Sequence, residues 1–532
     1  MQRSVRWLLC CASVASFAAL LAACSSSADS ADSEGMYGPS GYNGNSGNGG
    51  SGGSSQGYSD ASTSGDAWLN QHDAAPPPSD AAADAQPDTE QPDADTCALL
   101  DNSKPLVLYQ SADDSNSMSS PVIARRYIKA HQRVPGYVLR TYEFLNYYSV
   151  LYEPPAKGHV MVVPQMRAGK NPGEYTLQVG LQAEPVAIPR RPMNITFVLD
   201  NTGSMSGRPL ALEKATVKAI AGSMKTGDIV SMLAWNTDQW VLLDNLEVTG
   251  PNDSQLLAAA DKLTAEGSTD LHAGLVKGYE LAKTHYDPNR MNRVVLVSDG
   301  VANVGVVDEQ MIAKESHAED GEGIYLMGVG VGDGINDTLL NVVTDKGRGA
   351  YIYLDTEEEA AKVFGSRFDE VFEVAVRDIK LELTVPWYFT LKTTSAEQTS
   401  TNPQEVDPQY LAPGDAVVIN NTFLPCAESQ WKDTDVVQAR ATYKRPFTQE
   451  PGEDTVTMTL GELLSGSADQ LAKGTAIVAY AEALKKVQSK SGEEAQGEID
   501  KAIALVKSAD PDGKDADLVE ILALLTEYRT VL

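Results

Sequence analysis

The chain has 532 residues and a net charge of −31, from 73 Asp and Glu against 42 Lys and Arg. That length exceeds what a single core organises and predicts about three globular pieces. Acidity of this size excludes nucleic acid and anionic membrane surfaces as partners attracted by charge, and it suits a soluble surface that binds cations.

Arg3 and Arg6 precede an apolar run from Trp7 to Ala23 that ends Leu21-Ala22-Ala23-Cys24, the layout of a secretory signal. At roughly 17 residues the run is marginal for spanning a bilayer, and a single transmembrane anchor is the alternative. The stretch resembles the bacterial lipoprotein signal. That resemblance implies removal of residues 1–23, lipidation of Cys24 as the new first residue, attachment to the membrane through that lipid, and, from Ser25 rather than Asp after the cysteine, location at the outer membrane. Ser25 to Thr96 holds Gly, Ser, Asn, Ala, Pro and twelve acids with no Lys or Arg. Such a segment cannot bury enough apolar surface to offset its ordering entropy, so 24–96 is predicted to be a disordered tether reaching about 50 Å from the lipid. Cys10 and Cys11 leave with the leader and Cys24 is used for lipid, so two of the five cysteines, Cys97 and Cys426, remain. In an oxidising compartment an even pair invites a disulfide; two unpaired buried thiols are the alternative.

Residues 97–190 read as an α+β region. Leu106 to Tyr109 forms a strand, and Asp113-Asp114-Ser115-Asn116-Ser117 follows it with an Asp-x-Ser-x-Ser pattern that has no companion loops nearby. Val160 to Pro164 and Glu174 to Leu181 alternate like antiparallel strands. From 191 to 373 the predicted order is strand, helix, strand, strand, helix, helix, then strand and helix three times over, the mark of a doubly wound α/β fold. Residues 374–465 return to strands separated by Pro, Gly and acidic turns, and 466–532 hold amphipathic helices that read as a core-packing bundle, with Asp515 set to cap the last one. Strands on both sides of the α/β segment, with Cys97 and Cys426 flanking it, suggest that this segment is inserted into one β-sandwich built from both flanks.

Three stretches carry chemistry. Met193 to Leu199 is a buried strand ending in Asp200-Asn201-Thr202-Gly203-Ser204; Gly267-Ser268-Thr269-Asp270-Leu271 opens a helix; Val294 to Val297 leads into Ser298-Asp299-Gly300. Oxygen side chains alternate with small residues in the first, and Gly203 is expected to turn the backbone tightly enough for them to converge. On its own this pattern also fits an Asx-turn before a helix cap. Hard divalent cations favour such oxygens, and Mg²⁺ retains waters, so few protein ligands suffice. Together the three stretches resemble the metal-ion-dependent adhesion site of von Willebrand factor type A (VWA) domains. The resemblance implies a ligand set of Asp200, Thr202, Ser204, Thr269 and Asp299 around Mg²⁺, or Mn²⁺ or Ca²⁺, with one position open to an acidic side chain of a protein partner. It also implies coupling of binding to movement of the last helix, near Phe364 to Phe372. The flanks, with Ala124-Arg125-Arg126-Tyr127-Ile128 and Tyr142 to Tyr148, resemble those of the YfbK-like bacterial VWA lipoproteins, although Ser115 and Tyr142 replace acids typical there.

The expected function is therefore binding of a protein ligand at the cell envelope through a metal, not catalysis. A structural envelope protein with an incidental ion is the second reading and a metal-assisted hydrolase the third. Six histidines lie scattered with no His-Glu-x-x-His, Gly-x-Ser-x-Gly or phosphate-loop pattern, and His272 beside the Thr269 loop is the one that tempts as a base. Gly328 to Gly334 fails the dinucleotide spacing, because the residue three after Gly330 is Asp333.

Overall fold

A computed structural model describes residues 100–532, apart from 113–114, 186–189, 301–308, 317–322, 427–430 and 447. The leader, Cys24, the tether and Cys97 lie outside the described residues. The chain begins with β1 (Leu106–Ser111), α1 (Ser119–Lys129), α2 (Thr141–Tyr147), β2 (Met161–Ala168) and β3 (Tyr175–Gln182). An α/β segment follows: β4 (Met193–Asp200), α3 (Arg208–Ser223), β5 (Ile229–Trp235), β6 (Gln239–Glu247), α4 (Ser254–Asp261), α5 (Leu271–Thr284), β7 (Met291–Ser298), α6 (Glu309–Glu315), β8 (Ile324–Val331), α7 (Asp337–Lys346), β9 (Tyr351–Leu354), α8 (Glu357–Ala361) and α9 (Phe368–Phe372). Seven strands come next, β10 (Val376–Val385), β11 (Phe389–Thr394), β12 (Gln398–Ser400), β13 (Gln409–Leu411), β14 (Ala416–Pro425), β15 (Val436–Lys444) and β16 (Pro451–Thr459). Helices α10 (Leu460–Ser465), α11 (Asp469–Lys486), α12 (Gly492–Ala509) and α13 (Ala516–Tyr528) end the chain.

The α/β segment forms a sheet ordered β6-β5-β4-β7-β8-β9, parallel except for β6. Every residue of β4, β7 and β8 is buried. Those strands are near-continuous apolar runs because helices cover both faces, the condition under which parallel strands are stable. Each fully buried Leu, Val or Ile there contributes about 1.5–3 kcal/mol of transfer free energy.

The flanks combine into two antiparallel sheets, β12-β1-β10-β15-β16 with β13 beside β10, and β11-β14-β3-β2. Strands from before and after the α/β segment are direct neighbours in both: Leu108 faces Leu383 across β1 and β10, and Val179 faces Ile419 across β3 and β14. The α/β segment is thus an insertion in a sandwich made of both flanks. Alternation explains the pairing, since Ile379, Leu381, Leu383 and Val385 of β10 are buried and the residues between them are partly exposed. They meet Leu177, Leu181, Ile419 and Val437 in one apolar core.

The terminal helices pack inward. The Tyr480 ring of α11 meets Phe144 of α2 edge-on at 5.2 Å, and Ile477, Leu484, Ile499 and Leu525 are buried with them. Asp515 accepts hydrogen bonds from the backbone N–H groups of Asp517 and Leu518 and so caps α13. Near Phe364 the expected last helix is interrupted. After α8 the chain opens into a π turn over Lys362–Ser366, where the Lys362 carbonyl accepts from Arg367 N at 3.1 Å and from the Ser366 hydroxyl at 2.8 Å, before α9 resumes.

Charged clamps tie the insertion to the flank. Arg140 grips Asp337 of α7 with Nη1 at 2.7 Å and Nη2 at 3.0 Å, while its Nε holds Glu143 at 2.7 Å. Arg125 of α1 similarly spans Asp355 and Glu359. The serines of the early Asp-x-Ser-x-Ser stretch serve the same junction. Ser115 accepts from Ala412 N at 2.9 Å and Ser117 from Tyr351 N at 3.2 Å, so both hydroxyls satisfy buried backbone.

Candidate metal-binding site

The connection from β4 runs to β5 on one side, and the chain later returns to β7 on the other, so strand order reverses between β4 and β7. Open α/β sheets hold ligands at such a point, outside the carboxyl ends of the strands. Leu199 pairs with Val297, which sets Asp200 opposite Ser298 with Asp299 one residue beyond. The Ser298 hydroxyl donates to Asp200 Oδ2 at 2.6 Å, and Thr202 N donates to Oδ1 at 3.0 Å, closing an Asx-turn. The hydroxyls of Thr202 and Ser204 lie 3.0 Å apart.

The Thr269 stretch is strapped onto this loop. Gly203 N donates to the Gly267 carbonyl at 3.2 Å and Glu266 N to the Asn201 carbonyl at 2.8 Å, while Asn236 Nδ2 holds the Glu266 carbonyl at 2.9 Å. Gly267 sits at φ +82°, where a Cβ would stand 3.0 Å from Asn236 Nδ2, so the strap requires glycine. Gly203 has a different role from the expected turn. Its φ is not left-handed, and what it allows is close approach, since a Cβ there would lie 3.3 Å from the Gly267 carbonyl. Asp270 then caps α5 by accepting from Ala273 N at 3.0 Å. On the far side, the Asp299 carbonyl accepts from Asn336 N at 3.2 Å, and the Asn336 side chain caps α7.

Asp200, Thr202, Thr269 and Asp299 are buried, and Ser204 is exposed. Burial pushes the Asp200 carboxyl up to about 6, with Ser298 and Thr202 opposing the rise and the charge of Asp299 adding to it. Behind it, Glu213 of α3 is fully buried; burial pushes its carboxyl well above the carboxylate range, and the Asp200 charge acts in the same direction. Asp200 is thus met by a hydroxyl, an amide and the charge of a neighbouring acid, the setting a cation relieves. Two carboxylates and three hydroxyls are hard oxygen donors that fit Mg²⁺ or a similar ion. Among the described residues no group of three or more His, Cys, Asp or Glu is arranged to hold a metal.

Several neighbours escape the sequence reading. An open cavity of about 350 Å³ reaches Gly300, next to Asp299, and is lined also by Asn336, Asp337, Thr338 and Tyr137 of the N-terminal flank. Tyr137 is 58% exposed. Glu213 left a legible trace: it shares a helical face with Thr216, Val217 and Ile220, all buried, so an acid stands in a core position. Ser298 had none beyond its place before Asp299. His272 is half-buried. Cys426 is disulfide-bonded and 8% exposed.

Residues 194–366 match the family model described as von Willebrand factor type A domain. The chain is 23% identical over 455 residues to the uncharacterized protein YfbK of Escherichia coli (strain K12), a match covering 79% of this chain and 78% of that one. It is also 24% identical over 204 residues to inter-alpha-trypsin inhibitor heavy chain H3 of Mus musculus, covering 37% of this chain and 23% of that protein. Among solved structures, von Willebrand factor type A from Catenulispora acidiphila aligns with 70% of this chain and 98% of its own at 14% identity and a TM-score of 0.44. With the α/β sheet order and the family match over the same residues, residues 194–366 are a VWA domain, in a chain similar to YfbK over most of its length.

Proposed function

We propose that this protein is a binding module of the cell envelope that captures a protein ligand through a divalent cation, Mg²⁺ or a similar ion, held by Asp200, Thr202, Ser204, Thr269 and Asp299. VWA domains commonly bind protein partners and commonly do so with such a metal. One observation carries the reading here: Asp200 and the residue before Asp299 are hydrogen-bonded across adjacent strands at the switch point, under a loop whose two hydroxyls converge to 3.0 Å. The ion would supply an electrophilic point that accepts a carboxylate from the partner. The chain's own residues keep Asp200 oriented through Ser298 and leave Ser204 at the solvent edge. The same reading makes the protein a non-enzyme, and it carries the lipid anchor on Cys24, with the outer membrane as its site.

The test is thermal. Mg²⁺ or Mn²⁺ is expected to raise the melting temperature of the wild type but not of Asp200→Ala, and partner capture from intact cells should vanish in chelator. A partner held equally well without divalent ions would favour the structural reading. Palmitate labelling that persists in Cys24→Ser would remove the anchor.

A further inference from the structure

Glu213 is the one buried carboxyl among the described residues with neither oxygen hydrogen-bonded, and its residue is 0% exposed. Burying an ionised carboxyl without partners is among the costliest arrangements a core can hold, so such a group is retained where something compensates it. The Lys214 charge offsets its burial in part, while the charges of Asp200 and Asp299 both act against it. Its acidic neighbours are therefore the two carboxylates of the candidate metal site. Packing alone asks for an apolar side chain at this position, between Leu212 and Thr216 on the buried face of α3.

Resting on the metal reading above, we propose that Glu213 is an outer-sphere positioning residue of the metal site, its carboxyl hydrogen-bonding to water bound to the cation behind Asp200. Direct coordination does not fit, because Asp200, Asp299 and Glu213 do not form a three-acid cluster able to hold a metal. Carboxylates outside the ligand set orient ligands and tune affinity, and their loss weakens metal binding by about 10- to 100-fold. Mg²⁺ keeps several waters and dehydrates reluctantly whereas Ca²⁺ sheds water more easily, so an acceptor for metal-bound water favours Mg²⁺.

The experiment is calorimetric titration of the chelator-stripped full chain with Mg²⁺ and, separately, Ca²⁺, for wild type, Glu213→Gln and Leu212→Val as a packing control, with melting temperatures recorded metal-free. The expected result for Glu213→Gln is a Mg²⁺ Kd weakened about 10- to 100-fold, a smaller loss for Ca²⁺, and a metal-free melting temperature equal to or above that of the wild type. A Kd within about twofold of wild type for both ions overturns the proposal, at a factor well below that range. So does an equal loss for both ions accompanied by a lower metal-free melting temperature, which Leu212→Val would reproduce. Absence of Mg²⁺ binding by the wild type overturns the metal reading and this inference with it, whereas wild-type binding that Asp299→Asn abolishes and Glu213→Gln leaves intact overturns this inference alone.

Discussion

Replacing Arg140 with Ala tests whether the N-terminal flank holds the metal-site loops in place. Arg140 is half-buried and makes three short contacts to two acids, Asp337 at 2.7 and 3.0 Å and Glu143 at 2.7 Å. Those acids are themselves 2% and 0% exposed. The pair as a unit need not stabilise the fold, because desolvation offsets attraction, but removing one partner leaves a buried charge uncompensated at about 3–5 kcal/mol. Glu143 retains the Ser119 hydroxyl at 2.8 Å and Ser120 N at 2.5 Å, so most of the cost falls on Asp337. At 2–4 °C per kcal/mol for a cooperative unit of roughly 150–250 residues, the melting temperature should fall by about 6–20 °C. Calorimetry measures it, with Arg140→Met, Asp337→Asn and Glu143→Gln combined as a neutral replacement expected to recover most of the loss. Asp337 opens the helix whose Asn336 N holds the Asp299 carbonyl, so Arg140→Ala should also weaken Mg²⁺ binding. A loss below about 1 kcal/mol, the scale of an exposed pair, would refute the buried clamp.

Burial pushes Asp415 up to about 6 despite Arg367 nearby. A carboxyl raised above its unfolded value stabilises the fold below about pH 4 and loses that contribution as pH rises through 6, a swing of about 3 kcal/mol. Asp415→Asn should therefore lack this part of the pH dependence in urea unfolding at pH 4 and pH 7; parallel wild-type and variant curves would contradict it. Gly267→Ala should cost about 1–2 kcal/mol from the left-handed φ alone and should loosen the strap, lowering Mg²⁺ affinity; a fully stable variant with wild-type affinity would show that the strap does not shape the site.

Fold legibility followed the amount of periodic signal. β4, β7 and β8 are near-continuous apolar runs and β5 is buried after its first residue, because burial on both faces leaves little choice of residue. The sandwich was inferred only from strands on both sides of the insertion; its partners, such as Leu108 with Leu383, are hundreds of residues apart and leave no local mark. The site divides in the same way. Asp200, Thr202 and Ser204 stand in one short loop and announce themselves together, whereas the wall formed by Tyr137 and α7 depends on how the flank docks. The early Asp-x-Ser-x-Ser shows the converse. Its serines satisfy backbone groups of Ala412 and Tyr351, and only the absence of companion loops distinguished them in the text from the set at Asp200.

The same docking decides whether the VWA segment can stand alone. β9 is the last strand of its sheet, and an uncovered edge offers unpaired N–H and C=O groups to any passing strand. Here the flank covers it: Met118 N donates to the Tyr351 carbonyl at 2.9 Å and Ser117 Oγ accepts from Tyr351 N at 3.2 Å. Excising residues 190–375 removes both contacts, together with the arginines that neutralise Asp337, Asp355 and Glu359. The fragment should melt below the full chain and self-associate through β9, and adding back Lys or Pro on that edge should restore a monomer without restoring the melting temperature. Light scattering and calorimetry separate the two effects. A monomeric fragment as stable as the full chain would mean that the flank merely leans on the insertion, and that the clamps at Arg125 and Arg140 contribute nothing to holding the sheet or the loops at its carboxyl edge.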